Sequence, residues 1–125
     1  VGKSKILTWL LILSSPFGYA MSGGGEYLPL ESVLVNLDGR RHYLRADIQL
    51  FVESKAHAER IRMHMPPVRH ALIMLFSNRN SEQLSVADER EKLRQAALAD
   101  ITKTLQKYGA ADGLKDLFFT DFLIQ

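Results

Sequence analysis

Cysteine is missing from all 125 residues, which excludes disulfides, thiolate metal sites and cysteine nucleophiles and leaves the compartment open. Other nucleophile signatures are missing too: there is no G-x-S-x-G, no S-x-x-K and no P-loop glycine pattern. The four histidines do not fall at metal-ligand spacings. His57 and His64 share one helical face but stand about 10 Å apart along the axis, and His42 is expected to point inward as a core histidine. Asp112 and Asp116 read as solvated loop carboxylates. An excess of charge is lacking as well. The formal net charge is +2, but residues 1–20 hold Lys3 and Lys5 and no acid, which leaves 14 basic against 14 acidic side chains. A basic nucleic-acid footprint is therefore absent. Catalytic, cofactor-binding and metal residues are assigned to none of these groups.

What is present begins with a leader. Val1-Gly2-Lys3-Ser4-Lys5 is basic, Ile6 to Leu13 is an apolar core, and Pro16 precedes the small residues Gly18 and Ala20. That order reads as an export signal cleaved after Ala20. The rival reading is a short membrane anchor, although Ile6–Ala20 would span only about 22 Å as helix against a hydrocarbon core of about 30 Å. Residues 21–26 form a flexible joint around Gly23-Gly24-Gly25. Residues 27–125 are of a size for one domain.

Within the domain, Tyr27 to Leu37 reads as a strand with Val33, Val35 and Leu37 on one face. Asp38-Gly39 marks a turn, followed by Arg40-Arg41. His42 to Glu53 then alternates with strict period two, apolar at the even positions through Val52. The two strands make a hairpin. Ser54 caps a helix that runs to about His64, with Ala58 and Ile61 inside, and Met65 is pushed toward extended geometry by Pro66. Pro66-Pro67 opens a second helix with Val68, Ala71, Leu72, Leu75 and Phe76 in its stripe, widened by Ile73 and Met74. Ser77–Gln83 reads as polar loop. A third helix follows Ser85 as cap, with Asp88 three places on, and runs to about Tyr108. Leu93, Ala97, Ile101, Leu105 and Tyr108 form its stripe, and Asp88 with Lys92 makes an i,i+4 pair.

The closing stretch, Leu117 to Gln125, reads as a third strand. Alternation assigns Phe118, Thr120, Phe122 and Ile124 to one face and Leu117, Phe119, Asp121, Leu123 and Gln125 to the other. Both faces carry large apolar side chains. The fold expected is α+β: an antiparallel three-stranded sheet, made of residues 30–37, 42–52 and 115–124, packed against three helices. The third strand lies at an outer side of the sheet, and from Leu117 onward it is without the Pro or Lys that protects natural edges. Tyr43 and Phe51 sit on the polar face of the hairpin. With Thr120 and Phe119 on the last strand, they are the residues expected to meet a protein partner.

Several of these segments resemble one family in order: Tyr27-x-x-Leu30 into Val33-Leu34-Val35-Asn36-Leu37, Tyr43 to Leu50, Pro67 to Ile73, the Leu93-Arg94 helix, and the ending Phe118-Phe119-Thr120-Asp121-Phe122-Leu123-Ile124-Gln125. The resemblance is to the periplasmic domain of the FliL family of flagellar basal body-associated proteins, and it covers residues 27–125. It implies a stomatin-like fold, no enzymatic activity and no cofactor. The implied location is the periplasm beside the inner membrane and the flagellar basal body. Implied partners are flagellar stator and basal-body proteins and further copies of the chain in a ring. The implied role is support of the motor in motility, swarming and chemotaxis. Family members carry a full transmembrane helix and a longer linker, so the short leader here keeps an alternative open: a secreted periplasmic binding module of the same fold, acting away from the flagellum. An enclosed pocket lined by His42 or Arg45 would favour that alternative.

Overall fold

A computed structural model describes residues 24–125. The expected leader and the first part of the joint lie outside them. Among the described residues no helix is long and apolar enough to cross a membrane.

The fold is α+β and is built on the strand with the cleanest alternation. This strand, β3 (His42–Val52), is central in an antiparallel sheet. Leu44, Ala46, Ile48, Leu50 and Val52 are fully buried on one face, and each of the larger ones contributes roughly 1.5–3 kcal/mol by leaving water. The sheet has four strands rather than three, because the stretch expected as one strand is split into β1 (Glu26–Pro29) and β2 (Val33–Leu37). Both pair with the same edge of β3, β1 opposite Gln49–Val52 and β2 opposite His42–Ala46. Between them Leu30, Glu31 and Ser32 stand across from only Asp47 and Ile48, so the extra residue breaks the ladder. The Leu30 amide still reaches the Ile48 carbonyl at 2.9 Å.

The other edge of β3 carries β4 (Leu114–Ile124), and here two bulges redirect the side chains. Asp47 pairs with Asp121 and Ile48 with Phe119, which leaves Thr120 as an inserted residue; Phe51 pairs with Asp116 and Val52 with Leu114, which leaves Lys115 as another. A one-residue insertion exchanges the faces beyond it. Leu117, Phe119, Phe122 and Ile124 therefore all share the inner face, opposite Leu50, Ile48, Ala46 and Leu44. The strand is apolar mainly on one side, and the two-faced pattern expected from strict alternation is corrected.

Helices cover that inner face alone. Helix α1 (Lys55–Arg62) starts at Ser54, whose hydroxyl accepts the His57 amide. Helix α2 (Met65–Phe76) begins at Met65 itself, one residue earlier than expected. Pro66 and Pro67 fall in its first turn, where no intrahelical donor is needed. The expected polar loop contains a one-turn helix, α3 (Ser81–Leu84), capped by Asn80, whose side chain accepts the Gln83 amide at 3.0 Å. Helix α4 (Ala87–Gln106) follows Val86 without a side-chain cap, since the Ser85 hydroxyl bonds back to the Ser81 carbonyl instead. Lys92 reaches Glu89 at 3.3 Å, not Asp88. Leu93, Ala97, Ile101 and Leu105 are buried as their spacing requires. Tyr108 lies past the helix end, half exposed and stacked on His64 with ring centres 4.7 Å apart.

Candidate interaction surface

The odd positions of β3 point away from the helices, and their register partners on β1, β2 and β4 share that open face. It carries Tyr27, Leu34, Tyr43, Phe51, Phe118 and Leu123. Leu34 is 62% and Tyr27 61% exposed, a high value for large apolar groups on a sheet. Tyr27 and Phe51 are register partners with ring centres 5.0 Å apart. The chain enters beside them: a Cβ on Gly25 would lie 2.7 Å from the Phe51 ring, so only glycine fits there, at φ +73°. Further along, Leu34, Arg45 and Leu123 form one row across three strands, with Arg45 in the middle.

The carboxylates on this face are satisfied within the domain. Asp47 and Asp121 stand directly opposite each other, an unfavourable like-charge pair if left bare. Asp47 accepts from the Ser32 hydroxyl and lies 3.6 Å from Arg45, while Asp121 turns onto the Phe122 amide at 3.0 Å.

The sheet edges, by contrast, are capped at several points. On β4 the Leu117 amide donates to the Asp116 carboxylate at 2.8 Å and the Leu117 carbonyl accepts from Arg94 at 2.9 Å. On the opposite edge Arg69 donates to the carbonyls of Ser32 and Glu31 at 3.1 and 3.4 Å, and the Asn36 carbonyl accepts the Asn78 amide at 2.7 Å. These caps add to Pro29 on β1 and to the bulge at Lys115 on β4. Arg94 is held above its ordinary pKa, first by hydrogen bonding to Glu91 and then by Asp116.

Of the four residues expected to meet a partner, Tyr43 and Phe51 lie on the open face and Thr120 is exposed at the bulge. Phe119 points the other way, against Phe76 and Phe122 with ring centres 6.0 and 5.1 Å away. Leu34 and Phe118 were not singled out from the sequence. Leu34 could have been, since Val33 and Val35 face inward; Phe118 depends on the register of β4.

The histidines are dispersed. His42 is exposed rather than inward, because the turn ends there and its Nδ1 lies 2.9 Å from the Asp38 carboxylate. His57 contacts the Ser54 hydroxyl at 2.7 Å. A pocket of about 490 Å³ lies between the β1–β2 break and the α1–α2 junction. Its polar groups are Arg62, Arg69 and Glu31; Arg62 pairs with Glu59 at 2.7 Å and Arg69 with Glu31 at 3.8 Å. It offers no nucleophile and no poised base.

Residues 27–125 match the family described as "Flagellar basal body-associated protein FliL". Over 83 residues the chain is 28% identical to the flagellar protein FliL of Aquifex aeolicus (strain VF5), an alignment covering 66% of this chain and 49% of that protein. The chain thus spans about half the length of the curated relative it matches.

Proposed function

From the chain's membership in the FliL family of flagellar basal body-associated proteins, we propose that it is a non-enzymatic accessory protein of the flagellar motor. In this reading residues 27–125 form the periplasmic domain. Residues 1–20 export it or hold it at the inner membrane, and residues 21–26 link the two. The domain meets stator or basal-body proteins and further copies of itself, and so supports motility, swarming and chemotaxis. A stomatin-like relationship of the fold belongs to the same reading.

The observation that carries the proposal is the family match over the whole β1–β4 domain. The open sheet face supports it, since its bare aromatic and aliphatic groups offer a surface that a protein partner would cover. The secreted-module alternative called for an enclosed pocket lined by His42 or Arg45, and both side chains are about half exposed at the surface. A deletion strain tests the reading in soft agar, with filaments counted by microscopy. Impaired spreading restored by the intact gene is expected. Normal spreading with normal filaments overturns it.

A further inference from the structure

The hairpin turn between β2 and β3 is a basic knob in an unusually constrained backbone. Asp38, Gly39 and Arg40 have φ values of 50, 62 and 82° in succession. For the two non-glycine residues this is a strained conformation that persists only where the surroundings impose it. Those surroundings come from the loop after α2. The Asp38 amide donates to the Arg79 carbonyl at 3.1 Å, the Ser81 amide to the Asp38 carboxylate at 3.1 Å, and the Gly39 amide to the Asn78 side chain at 2.8 Å. Asn78 itself has φ 58°.

This framework holds out Arg40 and Arg41, while the Arg79 side chain turns back to donate from Nε to the Leu75 carbonyl at 2.6 Å. Arg40 and Arg41 are exposed. Among the described residues no carboxylate lies within ion-pair distance of Arg40 or Arg41; Arg60, Arg79 and Arg90 also lack one, whereas Arg45, Arg62, Arg69 and Arg94 are paired. The nearby carboxylate, Asp38, is taken up by Ser81 and His42. The knob adjoins the Leu34–Arg45–Leu123 row and Tyr43 at the same end of the sheet.

We propose that this knob, with the adjoining apolar row, docks an acidic and hydrophobic segment of a partner protein. Two exposed adjacent cations without carboxylate partners call for an anionic ligand, and the leucines and Tyr43 beside them call for apolar side chains between the acids. Position favours protein over a lipid headgroup. The chain enters at Gly25, by the Val52 end of β3, while the knob stands at the His42 end, roughly 33 Å away at the usual rise per strand residue. This choice rests on the proposed tethering of the N-terminal segment at the membrane, because only then is the knob the distal end.

The test uses the full chain in neutral detergent micelles and a fluorescent twelve-residue peptide of alternating glutamate and leucine. Anisotropy should report salt-sensitive binding that falls at least tenfold in the R40E/R41E double variant and changes less than twofold in R60E, an exposed arginine on α1. Phosphatidylglycerol doped into the micelles should not compete. Thermal melts confirm that both variants are folded. Binding indifferent to R40E/R41E, equal loss in R60E, or effective competition by phosphatidylglycerol overturns the proposal. Since no flagellum takes part, this outcome and the soft-agar outcome can fail separately.

Discussion

Arg94 donates from Nη1 to the main-chain carbonyl of Leu117 at 2.9 Å, closing a polar group on the free edge of β4 with a side chain from α4. The same nitrogen meets Asp116 at 2.7 Å, and the remaining guanidinium nitrogens engage Glu91. One arginine thus couples the helix to the strand and shields the strand from pairing with another chain. The sheet is capped at points along both edges and bare on one face.

Arg94→Met keeps the aliphatic stem and removes the donors. The Leu117 carbonyl and the Asp116 carboxylate lose their partner, at a cost of about 1–3 kcal/mol. A urea melt should show a lower midpoint with an unchanged slope. A midpoint equal to wild type means that water replaces the cap without loss.

Gly113, just before β4, has φ +82°, and a Cβ there would lie 2.4 Å from the His57 ring. Gly113→Ala is expected to combine backbone strain of about 1–2 kcal/mol with displacement of His57 from Ser54. Adding His57→Ala removes the ring but keeps its Cβ, 2.9 Å away, so it should recover most of the second part and leave the first. Strictly additive losses in this double-mutant cycle would show that the ring moves aside freely.

How far these relationships are legible in the sequence differs from strand to strand. On β3 local alternation alone assigns Leu44 to Val52 correctly, since a pleated strand needs no distant information to set its faces. On β4 the same rule fails beyond Thr120. The bulge is defined by pairing with Asp47 and Ile48, and nothing within Phe118–Gln125 announces it. Phe119, expected to meet a partner, packs against Phe76 and Phe122 instead. Tyr43 and Phe51 stand out because they interrupt the polar side of a clean alternation. The caps from Arg94, Arg69 and Asn78 depend on tertiary placement and have no local signature. The split between β1 and β2 has a partial one in Pro29, which cannot donate to a ladder.

The Asp38 carboxyl is held below the usual aspartate value of 3.8 by hydrogen bonding to the Ser81 side chain, then by the Ser81 amide, with a smaller push from His42. A depressed carboxylate contributes stability that is fully present above its unfolded pKa and lost as pH falls through its folded one. Thermal stability should therefore drop below about pH 4. Glu91, depressed by its bonds to Arg94, acts in the same direction. Asp38→Asn keeps a residue tolerant of positive φ and removes the charge, so its melting profile between pH 5 and pH 2.5 should be flatter than wild type. Parallel profiles would assign the acid transition to other groups.

Single cysteines in a motile strain distinguish association through the face from association through the edge. Tyr43→Cys places a thiol on the open face, Thr120→Cys at the exposed bulge beside it, and Phe119→Cys on the inner side against Phe76. If copies or motor proteins cover the open face, the first two yield disulfide or short-linker adducts and the third yields none. Contacts of this kind are weak in dilute solution and rely on tethering for effective concentration, so the measurement belongs in intact cells at native expression. Adducts from Phe119 alone would require β4 to peel from the helices. Absence of adducts at both Tyr43 and Thr120, in cells that still swim, would leave the bare face without a partner. The exposure of Leu34, Tyr27 and Leu123 would then be an ordinary feature of a small sheet, which buries one side only.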